Sequence, residues 1–166
     1  MKELVLHSKK HGTHTVLYDD EDHDLISKYH WNLYSSKRHH TIYVNSRCVI
    51  NGKSTTLRFH RIVLSVTSAN MQVDHKNGNG LDNRKSNLRI CTAVQNGGNQ
   101  NISIKNTSGF KGVHRNKING RWIAKVGYNN KKIVLGTFHS IIDAAIAYNN
   151  AALKYHGEFA RLNQIP

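Results

Sequence analysis

Residues 71–96 constrain this chain more than any other stretch, because their composition forces two reversals in quick succession. Met71-Gln72-Val73-Asp74-His75 is a short apolar-flanked run suited to a strand, and Lys76-Asn77-Gly78-Asn79-Gly80 after it is dense in residues that stabilise turns. Asn87-Leu88-Arg89-Ile90-Cys91 reads as a return strand with Leu88 and Ile90 on one face. Thr92-Ala93-Val94-Gln95 then has the form of a capping box, opening a helix that bears Asn96 on its first turns. Strand, strand and helix in so short a run predict that Asp74 and Asn96 come to one point, with His75 on the other face of its strand. A carboxylate and an amide oxygen form a hard, oxygen-only partial shell. Such a shell suits magnesium or manganese, completed by water and phosphate oxygens, far better than zinc. Imidazole is left for the proton work. Taken singly, each of these residues is also what a capped turn contains; together they read as a phosphodiester-cutting site.

The run Val73-Asp74-His75-Lys76-Asn77-Gly78-Asn79-Gly80-Leu81-Asp82-Asn83-Arg84, then Ser86-Asn87-Leu88-Arg89 and Gln95-Asn96, resembles the HNH nucleases of phage homing endonucleases. The resemblance implies a ββα-metal (His-Me) fold in which the residue matching His75 is general base on water. Those matching Asp74 and Asn96 hold one divalent ion, and the one matching Asn87 steadies the hairpin around the histidine. Many relatives carry His where this chain has Asn96, so it is an H-N-N variant whose metal preference moves further toward hard ions. Upstream, His60-Arg61-Ile62-Val63-Leu64 resembles a His-Arg-aliphatic segment of the same phage family. His60 itself, a lone histidine on an apolar segment, reads as a core residue rather than a ligand.

Charge points to the same partner. A net +14 with twelve histidines implies a polyanion, and double-stranded DNA is the expected one. The charge is segregated: five of the six residues from Asp19 to Asp24 are acidic, Leu25 to Val73 holds seven Lys or Arg and no acid, and residues 105–166 hold ten basic and two acidic side chains. The acidic run reads as the start of a short helix capped by Asp20, with Leu25, Ile26 and Tyr29 on one face. Metal binding by Asp19, Asp20 and Asp22 is the sharper alternative. Cys48 and Cys91 form no CxxC pair, which excludes a cysteine zinc site and a disulfide framework and makes a reducing compartment the default. No apolar run approaches the ~20 residues of a membrane span, and residues 1–10 lack a signal-peptide core, so a soluble, intracellular protein is expected, in the host cytoplasm if phage-encoded.

Three pieces are expected along the chain. Residues 1–96 would form a nuclease domain, with a β-rich support built from strands at His14–Tyr18, Thr41–Val44 and Thr55–Phe59, which offers Lys37, Arg38, Arg47 and Arg58 to phosphates. Residues 97–109, small and polar, read as a linker. From Phe110 the text gives three strands (Phe110–Arg115, Arg121–Val126, Lys132–Phe138) and a helix capped by Ser140 whose alanines leave a surface of low bulk. Trp122, Ala124 and Val126 face one way; Arg121, Ile123 and Lys125 face the other. The whole is α+β: a β-rich support and nuclease core, then a three-stranded antiparallel sheet packed on one helix.

Gly112-Val113, Trp122-Ile123-Ala124, Leu135-Gly136-Thr137-Phe138, Ala144-Ala145-Ile146-Ala147-Tyr148 and Gly157-Glu158-Phe159-Ala160-Arg161-Leu162-Asn163 resemble the Apetala-two/ethylene-response-factor DNA-binding domain, over about a third of the chain. Carried over by position, the DNA-facing places fall on Lys111, His114, Arg121, Lys125 and Lys132, with Trp122 matching a core tryptophan. Gly127 and Val134 stand where that family often has Arg and Trp, which implies looser base reading. The joint expectation is a site-specific, homing-type DNA endonuclease using one magnesium or manganese ion. One Asp-His…Asn…Asn set per chain, with no heptad seam, predicts a monomer that nicks one strand. The alternative is a catalytically inert regulator acting through the C-terminal domain; an RNA-binding role lacks the aromatic stacking strand it would need.

Overall fold

The computed structural model describes residues 1–35 and 41–166. Lys37 and Arg38, two of the expected phosphate contacts, lie outside the described residues. The described chain is mixed α and β, built from small antiparallel sheets and few helices, and divides into two compact units, Met1–Thr92 and Ala93–Pro166.

In the first unit, β1 (Lys2–Ser8) pairs with β2 (Gly12–Tyr18) as an antiparallel ribbon. β3 (Asn32–Ser35), β4 (Ile42–Ile50) and β5 (Lys53–Arg58) form a meander with β4 central. The β4–β5 turn is Asn51-Gly52, both at positive φ (51° and 75°), the two-residue hairpin loop whose twist matches that of its strands. Two short helices, α1 (His23–Ile26) and α2 (Phe59–Val63), flank this meander, and β6 (Gln72–His75) and β7 (Leu88–Cys91) make the hairpin expected from the turn-rich run between them. Val16, Tyr18, Ile26, Trp31, Leu33, Val44, Phe59, Val63, Val73 and Leu88 close one core. At its centre Phe59, 1% exposed, lies 4.6 Å from the Trp31 ring, and burying such a side chain contributes about 1.5–3 kcal/mol. Trp31 satisfies its buried indole N–H on the Ile26 carbonyl at 2.9 Å.

The structure departs from expectation at several points. β1 and β3 have no counterpart in the sequence reading, and Phe59 opens α2 rather than ending a strand, since the core claims its ring. The acidic run forms a 3-10 turn (Asp20–Asp22) and α1, with no side-chain cap from Asp20. It is instead a brace. Asp19 Oδ2 accepts the Lys85 backbone N–H at 2.7 Å, and Asp22 and Glu21 hold the Lys85 ammonium, Asp22 at 3.0 Å. Among the described residues no three His, Cys, Asp or Glu side chains gather as a metal cluster, there or elsewhere.

In the second unit, α3 (Ala93–Asn99) precedes a sheet ordered β10-β9-β8, from β8 (Val113–Arg115), β9 (Trp122–Tyr128) and β10 (Lys131–Phe138), with α4 (Ile141–His156) behind it. Residues 110–112 turn into the sheet rather than forming the start of β8. Gly112 sits at φ 75°, where a Cβ would stand 2.1 Å from the Tyr148 ring and 2.5 Å from the Lys125 carbonyl, so only glycine serves. Ser140 caps α4, its Oγ accepting from Ile142 N–H at 3.1 Å and Asp143 N–H at 3.4 Å. Ala144, Ala145 and Ala152 are fully buried and let α4 lie close against Val113, Ala124 and Val126. No described helix is long and apolar enough to cross a membrane.

Candidate active site and nucleic-acid interface

β6 and β7 pair with Asp74 opposite Arg89 and His75 opposite Leu88. Side chains alternate across a strand, so Asp74 and His75 leave β6 on opposite faces. Both are buried, at 6% and 5% exposure. Asp74 Oδ2 accepts from Arg89 Nε at 2.9 Å and Nη2 at 2.8 Å, which fixes the carboxylate across the hairpin.

His75 is held differently. Its Nε2 lies 3.2 Å from Oδ1 of the fully buried Asn83. An amide oxygen only accepts, so Nε2–H is the donor, and Nδ1 keeps the lone pair. Tyr43 and His60 close around the ring: the Tyr43 centroid is 5.8 Å away, and His60 stands edge-on at 5.2 Å and 87°. Burial drives the His75 pKa below its ordinary value, against the opposing pull of the Asn83 hydrogen bond and the Asp74 and Asp82 charges. A neutral imidazole results, the form a base requires. His60 is pushed down to about 3 by burial first, then by His75, Arg58 and Arg61. Its Nδ1 is buried with no hydrogen-bond partner among the described residues.

The loop between the strands is cross-braced by Asn87. Its Nδ2 donates to the Asp82 carbonyl at 2.7 Å and to Asn77 Oδ1 at 3.1 Å, while its Oδ1 accepts the Asn77 N–H at 3.1 Å. Asp82 receives Arg84 on both oxygens at 2.7 Å and Asn77 Nδ2 at 2.9 Å, and the Arg84 hydrogen bonds hold its carboxyl below the usual range. The far end of the loop lies along β2: Leu17 N–H donates to Leu81 O at 2.9 Å, and Asn83 N–H to Leu17 O at 2.7 Å. A Cβ at Gly80 would stand 2.4 Å from the Ile42 carbonyl and 2.6 Å from the Tyr43 ring, so close seating on β4 needs glycine there. Arg61 fastens the approach to β6 by donating to Met71 O at 2.6 Å and Ser68 O at 2.7 Å.

Asp74, His75 and Asn87 therefore share one braced hairpin in the first unit, and Asn96, half-buried, lies on α3 in the second. Nothing in the sequence marks Asn83, Arg89 or Tyr43 as neighbours of the site residues, and His60 reads there as core. Asn83 lies within the Gly-x-Gly-x-Asp-Asn-Arg run, but nothing local marks it as the histidine's partner. Arg47 and Arg58 remain on β4 and β5.

In the second unit the outward sheet face gathers His114, Lys125 and Lys132, which with Asn106 and Gly127 line a depression of about 380 Å³. Burial, then Lys125 and Lys132, lower the His114 pKa. Gly127 leaves open space where a side chain would project, its nearest would-be contact being 4.0 Å away. Arg121 is exposed immediately before β9, and Trp122 packs toward α4 as expected. Lys111 is placed otherwise: its Nζ donates to the Gly98 carbonyl at 2.7 Å.

Residues 67–97 match the family model described as HNH endonuclease. The chain is also similar to plant transcription factors. It is 41% identical over 61 residues to Ethylene-responsive transcription factor WRI1 of Arabidopsis thaliana, covering 36% of this chain and 14% of that protein. To Dehydration-responsive element-binding protein 2E of Arabidopsis thaliana it is 39% identical over 64 residues, 32% of this chain and 26% of the relative. The chain thus spans about a quarter or less of the curated relatives it matches. The chain therefore carries a segment that matches the HNH endonuclease model and a stretch similar to part of these plant proteins.

Proposed function

We propose that this chain is a homing-type DNA endonuclease that nicks one strand of a duplex target. The observation that carries the reading is His75: a buried, neutral imidazole whose Nε2–H is tied to Asn83, inside the segment that matches the HNH family model. In the reaction, Nδ1 of His75 takes a proton from water, and the resulting hydroxide attacks the scissile phosphorus in line. The P–O3′ bond breaks, and the departing oxygen takes a proton from solvent, leaving a 5′ phosphate and a 3′ hydroxyl. Asn87 keeps the loop that carries Asn83 in register with the base.

Asp74 and Asn96 would hold one magnesium or manganese ion; a carboxylate fixed by Arg89 and an amide oxygen are the hard donors such ions prefer. When bound, the ion supplies positive charge to the phosphate and the leaving oxygen. The outward face of β8–β10, with His114, Arg121, Lys125 and Lys132, is the proposed duplex-binding surface, and the names of the plant relatives support it. Lys111, engaged on Gly98, is left out of it.

The test is cleavage of supercoiled DNA carrying candidate sites with magnesium, mapped by run-off sequencing. Open circles should accumulate, EDTA should stop the reaction, and His75→Ala should lower the rate by about 10²–10⁴ with DNA affinity retained. Cutting that survives both His75→Ala and EDTA would overturn the assignment. Linear product without open circles, at a rate rising as the square of enzyme concentration, would replace the monomeric nickase with a dimer.

A further inference from the structure

The segment after Asn96 reads in sequence as the start of a tether, yet Gly98 is closely engaged within the second unit. The last carbonyls of a helix have no partner within it and must find one elsewhere. On α3 the Gly98 carbonyl accepts two hydrogen bonds, from Lys111 Nζ at 2.7 Å and from the Arg161 backbone N–H at 3.2 Å. A cation at that end also suits the helix dipole. Packing says the same independently of the hydrogen bonds. A Cβ on Gly98 would fall 2.8 Å from His156 Cγ, at the end of α4, and 2.9 Å from the Phe159 carbonyl, whereas one on Gly97 would meet nothing within 4 Å. One glycine of the pair is needed for close approach, and its neighbour is not.

Lys111 is anchored from behind as well. Its N–H donates to Asn163 Oδ1 at 2.6 Å, its carbonyl accepts from Asn163 Nδ2 at 3.1 Å, and Asn163 is in turn paired with Asn149 of α4 through two bonds of 2.8 and 3.0 Å. The side chain that clasps α3 therefore leaves a backbone locked to the helix behind the sheet.

We propose that α3 is a built-in part of the DNA-binding unit, clasped by Lys111, Arg161 and the α4 terminus, so that Asn96 moves with the reader and DNA held on the sheet sets where Asn96 stands. Lys111 is on this account a positioning residue. The inference rests on the nuclease reading for its catalytic consequence, and on the contacts above for the clasp itself.

Four variants of the full chain test it: Gly98→Ala, Gly97→Ala, Lys111→Met and Lys111→Arg. Hydrogen exchange of the α3 amides is followed without metal or DNA. DNA affinity is measured in EDTA, and the single-turnover nicking rate at saturating DNA as magnesium is varied. Alanine favours helix over glycine at both positions, so helix propensity alone would make the two glycine variants alike. The clasp predicts faster α3 exchange in Gly98→Ala and Lys111→Met, with Gly97→Ala like the parent. It also predicts nicking reduced at least tenfold, or shifted to higher magnesium, while affinity stays within about threefold and Lys111→Arg recovers most of the rate. Equal α3 exchange in the two glycine variants would overturn the proposal. So would a Lys111→Met protein with weakened affinity and an unchanged saturated rate, which would make Lys111 a DNA contact. If the parent chain nicks no DNA, the nuclease reading fails, and the exchange comparison still decides the clasp.

Discussion

Replacing Asn83 by leucine removes the amide oxygen that faces His75 Nε2 and keeps the branched shape of the side chain with somewhat larger bulk. Asn83 is fully buried, so no water takes the place of its Oδ1, which lies 3.2 Å from His75 Nε2. Its backbone N–H to Leu17 O, at 2.7 Å, is untouched, and the loop keeps its seat on β2. The lost hydrogen bond is worth about 0.5–1.5 kcal/mol, and the stranded Nε2–H adds a penalty of about 1–3 kcal/mol in stability. What reaches the chemistry is the lost preference for the tautomer protonated on Nε2. Where the stranded Nε2–H tips the balance to the other tautomer by about 1–2 kcal/mol, the productive fraction falls roughly 6- to 30-fold. The assay is single-turnover nicking with magnesium at saturating DNA, beside a denaturant titration that establishes the variant is folded. A folded Asn83→Leu protein cutting within twofold of the parent, while His75→Ala is inactive, would refute the argument that Asn83 prepares the base.

Gly112→Ala should cost about 2–5 kcal/mol, since positive φ and overlap with the Tyr148 ring add together, and denaturant titration of the second-unit transition would read it. Lys125→Ala and Lys132→Ala should each reduce the log–log salt slope of DNA binding by about 0.9, if each meets one phosphate. Acid should weaken the fold from about pH 6.5 downward, because His60 and His75 titrate lower when folded than unfolded, so the unfolded chain takes up the protons first. Stability present above that pH is lost through the window down to the folded values. His60→Leu should flatten the decline, measured as denaturation midpoint against pH. The nicking rate should likewise keep its plateau to below pH 6.5, and Asn83→Asp, which adds a carboxylate beside the imidazole, should move the acid limb upward.

What was legible in the sequence was local. The dense turn chemistry of residues 76–80 announces the β6–β7 hairpin, and the alternation of Trp122, Ala124 and Val126 gives the inner face of β9 directly. Ser140 marks the start of α4 because capping is decided within three residues. What escaped depends on partners far away in the chain. β1 is a half-exposed strand with weak contrast between its faces, and β3 is only four residues long. Asn83, Gly80 and the acidic run acquire meaning from Leu17, Tyr43 and Lys85 respectively, none of them a sequence neighbour. Lys111, expected at a DNA-facing place, donates its Nζ to the Gly98 carbonyl, a contact that strand position alone does not reveal.

The seating of residues 80–83 on β2 and β4 also governs how the protein must fold. Leu17 and Asn83 stand some 65 positions apart, so the loop that orients the histidine waits for one of the longest chain closures in its unit, and contacts of that span form slowly. The motif is consequently not a portable cassette: residues 67–97 grafted elsewhere would bring the histidine without the surface that aims it. On the proposed nuclease reading, a nascent or partly unfolded chain holds a dormant base, and cutting competence arrives only when the amino-terminal strands have closed beneath the loop.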